Sequence, residues 1–241
     1  MSEFVSWRDY WIFASDVIQK RRFLRTDRGE AFLAAVTESS KKRVNLMPAG
    51  TELWRAQRGC NYAPDSDSGT ERPVPFPAER MKPLADRAQE GRVNPKGIAC
   101  LYLANGPDTA ISETRAGIGE RVSLANFRTK ADSRLVDCIH QQEEPLYLDE
   151  PDSASKERAV WSYMNRAFSS PVGRAEDRAD YAPTQVLAEV FKGLGFDGII
   201  YRSAFGTDGY NLALFDLDSA DPVGRWVYRV DDVAYKVSID R

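Results

Sequence analysis

Residues 91–119, GRVNPKGIACLYLANGPDTAISETRAGIG, compress several kinds of local structure into one stretch and leave little freedom in how they follow one another. Asn94-Pro95 and Lys96-Gly97 are turn chemistry, proline presetting one backbone angle and glycine opening conformations closed to other residues. Residues 98–103 form a short apolar run with the β-favouring side chains Ile98 and Tyr102; too short for a helix, it reads as a buried strand. In Asn105-Gly106-Pro107-Asp108 a proline suited to a first helical turn precedes an acid placed where the helix dipole favours negative charge. A helix therefore begins there and includes Glu113. The order brings Arg92 of the turn, Tyr102 of the strand and Glu113 of the helix around one end of a strand.

The flanking chain reads as support for that centre. Trp7, Trp11, Ile12, Ala14 and Ile18 recur at helical spacing over residues 5–23, ahead of the basic Lys20-Arg21-Arg22, and predict a first helix. A second, capped by Asp27 and running to Thr37, buries Phe32, Leu33 and Val36. Lys41-Lys42-Arg43 reads as a solvated loop. Gly50-Thr51 turns the chain into the strand 52–57, on which Leu53 and Arg55 share one face and Trp54 and Ala56 the other. Taken alone, Arg55 reads as a strand-end arginine whose stem covers apolar surface. Residues 61–90, with five prolines, read as a long irregular excursion holding at most a helical turn.

Beyond the centre, residues 121–127 and 133–139 read as strands forming a hairpin or lying side by side. His140, the only histidine, is assigned no catalytic role, which removes a Ser-His-Asp triad and a histidine metal site. Residues 153–168 form an amphipathic helix with Val160, Trp161, Met164 and Phe168 inward. Another helix opens at Tyr181-Ala182-Pro183 and ends at Gly195. A short strand finishes at Ser203, a glycine-bearing loop follows, Asn211 opens the next strand, and residues 225–239 supply closing strands.

Composition sets the outer limits. With 241 residues, 42% of them hydrophobic, the chain fits one large domain with a helical appendage and has ample material for a core. A formal charge of −3 argues against a nonspecific nucleic-acid binder, which needs a basic surface to neutralise phosphates. The N-terminus has no basic leader followed by an apolar core, and no run approaches a membrane span, so the expected location is cytoplasmic. Cys60, Cys100 and Cys138 lack CxxC spacing and read as buried free thiols.

Four ordered motifs together resemble the RES-domain family, named for an arginine, a glutamate and a serine: LWRA with Arg55, GRVNPKG followed by LYLA with Tyr102, AISETR with Glu113, and DGIIYRS with Ser203 followed by NLALF. The resemblance covers residues 50–216. It implies an α+β fold similar to ADP-ribosyltransferases, a split β-core flanked by helices. The division it suggests is an N-terminal helical extension over 1–49 and a RES domain over 50–241. It also implies NAD⁺ as substrate, with no separate cofactor or metal, cleavage of the nicotinamide–ribose bond by hydrolysis or phosphorolysis, and inorganic phosphate as a candidate co-substrate. A mono-ADP-ribosyltransferase and a catalytically silent partner-binding module remain the alternatives. Family members include toxins of toxin–antitoxin pairs, so the implied partner is an antitoxin of the Xre helix-turn-helix type; self-association stays open. Carried onto this chain, the catalytic set is Glu113, Arg55, Ser203 and Tyr102, and the substrate-binding set is Arg55, Arg92, Asn94, Tyr102, Ser203 and Asn211.

The chemistry fits those residue types. Nicotinamide leaves a cationic pyridinium as a neutral group and needs no general acid, whereas positive charge develops on the ribose, which one fixed carboxylate, Glu113, stabilises. An ordinary glycosidase needs two. Arginine's planar fork suits a diphosphate.

Overall fold

The computed structural model describes residues 3–66, 69–139, 147–170, 178–205, 208–234 and 237. Two helices open the chain, α1 (Asp9–Gln19) and α2 (Asp27–Ser40), followed by the strands β1 (Val44–Met47) and β2 (Glu52–Arg58). The excursion holds a hairpin of β3 (Asn61–Pro64) and β4 (Glu71–Val74), the single turn α3 (Ala78–Met81) and a 3₁₀ turn at Ala85–Arg87. Then come β5 (Leu101–Ala104), α4 (Pro107–Glu113), β6 (Arg121–Thr129), β7 (Ser133–Asp137), α5 (Ser153–Ser169), α6 (Ala182–Gly193), β8 (Gly198–Arg202), β9 (Tyr210–Leu214) and β10 (Ala220–Arg229).

Eight strands form one sheet in the order β1-β7-β8-β9-β5-β2-β6-β10. Among the described strand pairs only β7 and β8 run parallel, which requires a long crossover between them, here through α5 and α6. The join between β5 and β2 is the weak point: Trp54 opposite Ala104 is its one paired position, whereas β2 and β6 pair over seven residues and β5 and β9 over four. The sheet is thus split into a five-strand half ending at β5 and a three-strand half beginning at β2. This is an α+β fold with a split core, flanking helices and an N-terminal helical pair, as expected.

Helices α1, α2, α5 and α6 cover one face of the larger half around Trp161, Phe168, Phe191 and Ile199. On the other face Phe76 and Met81 of the excursion meet Leu53, Leu101 and Phe127. Leu53 thus faces one core while Trp54 and Ala56 face α4, the alternation read from the sequence.

Several expectations need correction. The buried face of α1 is Tyr10, Phe13 and Val17; Trp7 is buried ahead of the helix and Trp11 is 42% exposed. Docking sets this face, Phe13 stacking on Phe32 of α2 with ring centroids 4.6 Å apart. Thr26, not Asp27, caps α2, its side chain accepting from the Gly29 amide at 3.1 Å. Arg43 is buried, its guanidinium 4.5 Å over the Trp161 ring, so the basic triplet is not wholly solvated. The excursion is not irregular throughout, since the β3–β4 hairpin holds together across four register pairs. Strands β6 and β7 are not neighbours: β6 lies between β2 and β10, β7 between β1 and β8, and the tight link 130–132 passes from one half to the other. The strand expected at 98–103 begins only at Leu101, with Ile98 46% exposed, and the closing strand begins early, at Ala220. His140 lies outside the described residues, as do residues 235–236 and 238–241 of the expected closing strands.

Candidate active site

Where β2 and β5 part, a cavity of about 170 Å³ opens, lined by Trp54, Arg55, Tyr102, Glu113, Tyr201 and Asn211 among others. Glu113 and Arg55 therefore share one cavity.

Glu113 is the last residue of α4. Gly106 caps that helix with Pro107 in its first turn, as the sequence predicts, and Arg115 at φ +51° follows just past its end. A carboxylate at a helix C-terminus faces the negative end of the dipole and is not placed there for helix stability. Two side chains from the larger half hold it instead: Ser203 Oγ donates to Oε1 at 2.7 Å and Asn211 Nδ2 donates to the same oxygen at 2.6 Å. Both donors are buried, Ser203 just past β8 and Asn211 within β9. Oε2 has no partner among the described residues. The serine hydroxyl also accepts from the Phe205 amide at 3.1 Å, which fixes its proton toward the glutamate.

Arg55 occupies the split itself. Its Nη1 donates to the Tyr102 carbonyl at 2.9 Å, bridging β2 and β5 beyond their single paired position. Its Nε is buried without a hydrogen-bond partner, and no carboxylate among the described residues pairs with the guanidinium. Burial pulls its pKa below the ordinary arginine value. A desolvated cation with open donor capacity is a costly arrangement, and an anionic ligand relieves it.

Tyr102 lines the cavity while its hydroxyl is bonded elsewhere. It donates to Asn94 Oδ1 at 2.6 Å and accepts from the Val93 amide at 3.0 Å. Gly91 is required for this close approach, since a Cβ there would lie 2.6 Å from the hydroxyl. Asn94 in turn donates to the Gln89, Pro95 and Ile98 carbonyls and locks the turn. Arg92 donates to the Ala167 and Phe168 carbonyls at 3.2 and 3.1 Å, answering the C-terminal end of α5. The structure brings Arg55, Tyr102, Glu113, Ser203 and Asn211 together, and it turns Arg92 and Asn94 to internal bonds outside this cavity.

Several lining residues escaped the sequence reading, Trp54 and Tyr201 among them. Trp54 forms one wall, and its ring lies 5.7 Å from that of Trp226 on β10. Tyr201, two residues before Ser203 on β8, also faces the cavity. Burial raises its pKa far above the ordinary tyrosine value, with the Glu113 charge adding to the effect, so its hydroxyl stays protonated. The signal was period two: in a strand, Tyr201 and Ser203 point the same way.

The fold and cavity define an α+β protein with one half-buried arginine and one side-chain-clamped glutamate at the seam of a split sheet. The sequence profile of the RES domain matches residues 52–237, and the chain belongs to the RES-domain family. None of the curated proteins matches it. Among solved structures, a chain of the crystal structure of the M. tuberculosis MbcT–MbcA toxin–antitoxin complex is similar over 80% of this chain and 92% of that one, at 14% identity and a TM-score of 0.43.

Proposed function

We propose that the protein degrades NAD⁺ by cleaving the bond between nicotinamide and ribose. The observation that carries this reading is the pairing, in one cavity, of a fixed carboxylate and a half-buried arginine that has no anionic partner among the described residues. The bonding electrons leave with the pyridinium nitrogen, giving neutral nicotinamide, and positive charge builds on the sugar. Ser203 and Asn211 hold one Glu113 oxygen, leaving the other to steady that charge or a ribose hydroxyl. Arg55 binds the diphosphate, whose negative charge supplies what its surroundings lack. Tyr201, whose hydroxyl stays protonated, and Tyr102 belong to the same walls. The acceptor at the sugar is water or inorganic phosphate.

Such an enzyme exhausts the cytoplasmic NAD⁺ pool of its own cell, so the reading includes a toxin held in check by an antitoxin of the Xre helix-turn-helix type. Incubation of the purified protein with NAD⁺, with and without inorganic phosphate, tests the chemistry. Nicotinamide release that needs phosphate identifies a phosphorylase, release without it a glycohydrolase, and no release in either condition refutes the reading.

One observation favours a second reading, mono-ADP-ribosyl transfer to a protein. Trp226 and Tyr228 are 44% and 46% exposed, and Trp226 packs on the cavity wall residue Trp54, an apolar shelf on which an acceptor could rest. Transfer would leave label from adenine-labelled NAD⁺ on protein, whereas hydrolysis and phosphorolysis leave it only on small products.

A further inference from the structure

The cavity holding Glu113 is small for a dinucleotide: about 170 Å³, below the ~300–1,000 Å³ usual for small-molecule sites. Arg55 and Tyr102 also line a second cavity of about 300 Å³, walled by residues 83–91 of the excursion and by Ala99 and Cys100. Arg55 is thus common to the lining of both chambers, and its Nε is buried and unpartnered.

The second chamber is built rather than incidental. Lys82 at the start of this wall is bonded to Asp221 of β10 at 2.7 Å, and near its end the Ala88 carbonyl accepts from the Gly97 amide at 3.0 Å. Its lining is chemically uneven. Pro83, Leu84, Ala88 and Ala99 supply apolar surface, Gln89 an amide able to read a base edge, Arg87 and Glu90 a pair of opposite charges, and Arg55 a half-buried cation. Burial pushes the Cys100 thiol up to about 11, so it stays a neutral thiol. A chamber of mixed apolar and polar walls that includes an arginine suits a flat heterocycle joined to phosphate.

We infer that residues 83–91 form the subsite for the adenosine end of the dinucleotide, with the diphosphate crossing Arg55 and the nicotinamide riboside reaching Glu113. This rests on the NAD⁺ reading above. It gives the excursion a role in substrate recognition and separates the two ends of the substrate between two chambers.

The test uses the full chain with two variants in the second chamber, Leu84→Asp at its exposed rim and Ala99→Leu within it. Two quantities are read: the kinetics of nicotinamide release from NAD⁺, and the inhibition constant of ADP, which carries the adenosine and diphosphate but no nicotinamide. The inference predicts that ADP competes with NAD⁺. Each variant should raise the KM for NAD⁺ and the inhibition constant of ADP together by roughly tenfold, the size of one lost contact region of ~1.4 kcal/mol, with the loss in KM rather than kcat. Leu84→Asp is the safeguard on folding, since Leu84 is 57% exposed. If the wild type releases nicotinamide but ADP does not compete, or both variants leave both constants unchanged, the adenosine end lies elsewhere and the subsite is refuted while the NAD⁺ reading stands. If the wild type releases no nicotinamide, both fall.

Discussion

The two halves of the sheet are stabilised in different ways. The larger half lies beneath α1, α2, α5 and α6, and Trp161, Met164, Phe168 and Phe191 within that layer are fully buried. The smaller half, β2, β6 and β10, has on its helical face, among the described residues, α4, seven residues long, and leaves Trp226 and Tyr228 exposed. Each half gives the site something different. The well-packed half supplies Tyr102, Tyr201, Ser203 and Asn211, which position; the thinly covered half supplies Arg55 and Trp54. Glu113 belongs to a helix packed on β2, yet both its hydrogen bonds cross to the other half. The glutamate is therefore also a clasp across the seam, and the Arg55 bond to the Tyr102 carbonyl is a second.

That contrast can be broken at its strongest point first. Trp161→Ala should destabilise the protein by ~3–5 kcal/mol, because it empties a fully buried site beneath Arg43 and removes the indole bond to Ser39; denaturant unfolding measures the loss. Arg55→Met should lower kcat/KM for NAD⁺ by at least ~100-fold while leaving the unfolding midpoint unchanged or higher, since an apolar side chain of similar length relieves the desolvated charge. A large drop in stability would show that Arg55 chiefly ties the halves together. Tyr102→Phe should cost about 1–3 kcal/mol by orphaning Asn94 Oδ1 and the Val93 amide. The smallest effect belongs to the exposed shelf: Trp226→Ala should shift stability by less than about 1 kcal/mol, and a loss like that of Trp161→Ala would show that the smaller half is not thinly covered.

Much of this architecture was legible in the chain because its signals are local. The proline and glycine around the start of α4, the period-two faces of β2, and the inward residues of α5 follow from backbone sterics and burial. The residues Arg55, Glu113 and Ser203 were found through motif order, and the cavity brings them together with Asn211. What escaped depends on contacts distant in sequence. Pairing of β6 with β2 and β10 rather than with β7 is a choice among strands of similar apolar content. The face of α1 was set by Phe32, and Arg43 was drawn inward by Trp161. Arg92 and Asn94 sit in the motif expected to touch substrate; their side chains bond to the end of α5 and within the turn, and Asn94 also lines the second chamber. A polar side chain reads alike in sequence whether it meets a ligand or a carbonyl.

The central claim is that the charge of Glu113, and not merely its shape, drives departure of nicotinamide. Glu113→Gln keeps an oxygen able to accept from Ser203 and Asn211 while removing the charge. Nicotinamide release from NAD⁺ by the wild type and by this variant, compared at matched thermal stability, is the most direct measurement. A rate at least ~100-fold lower in the variant is the expected result, and equal rates would contradict the account.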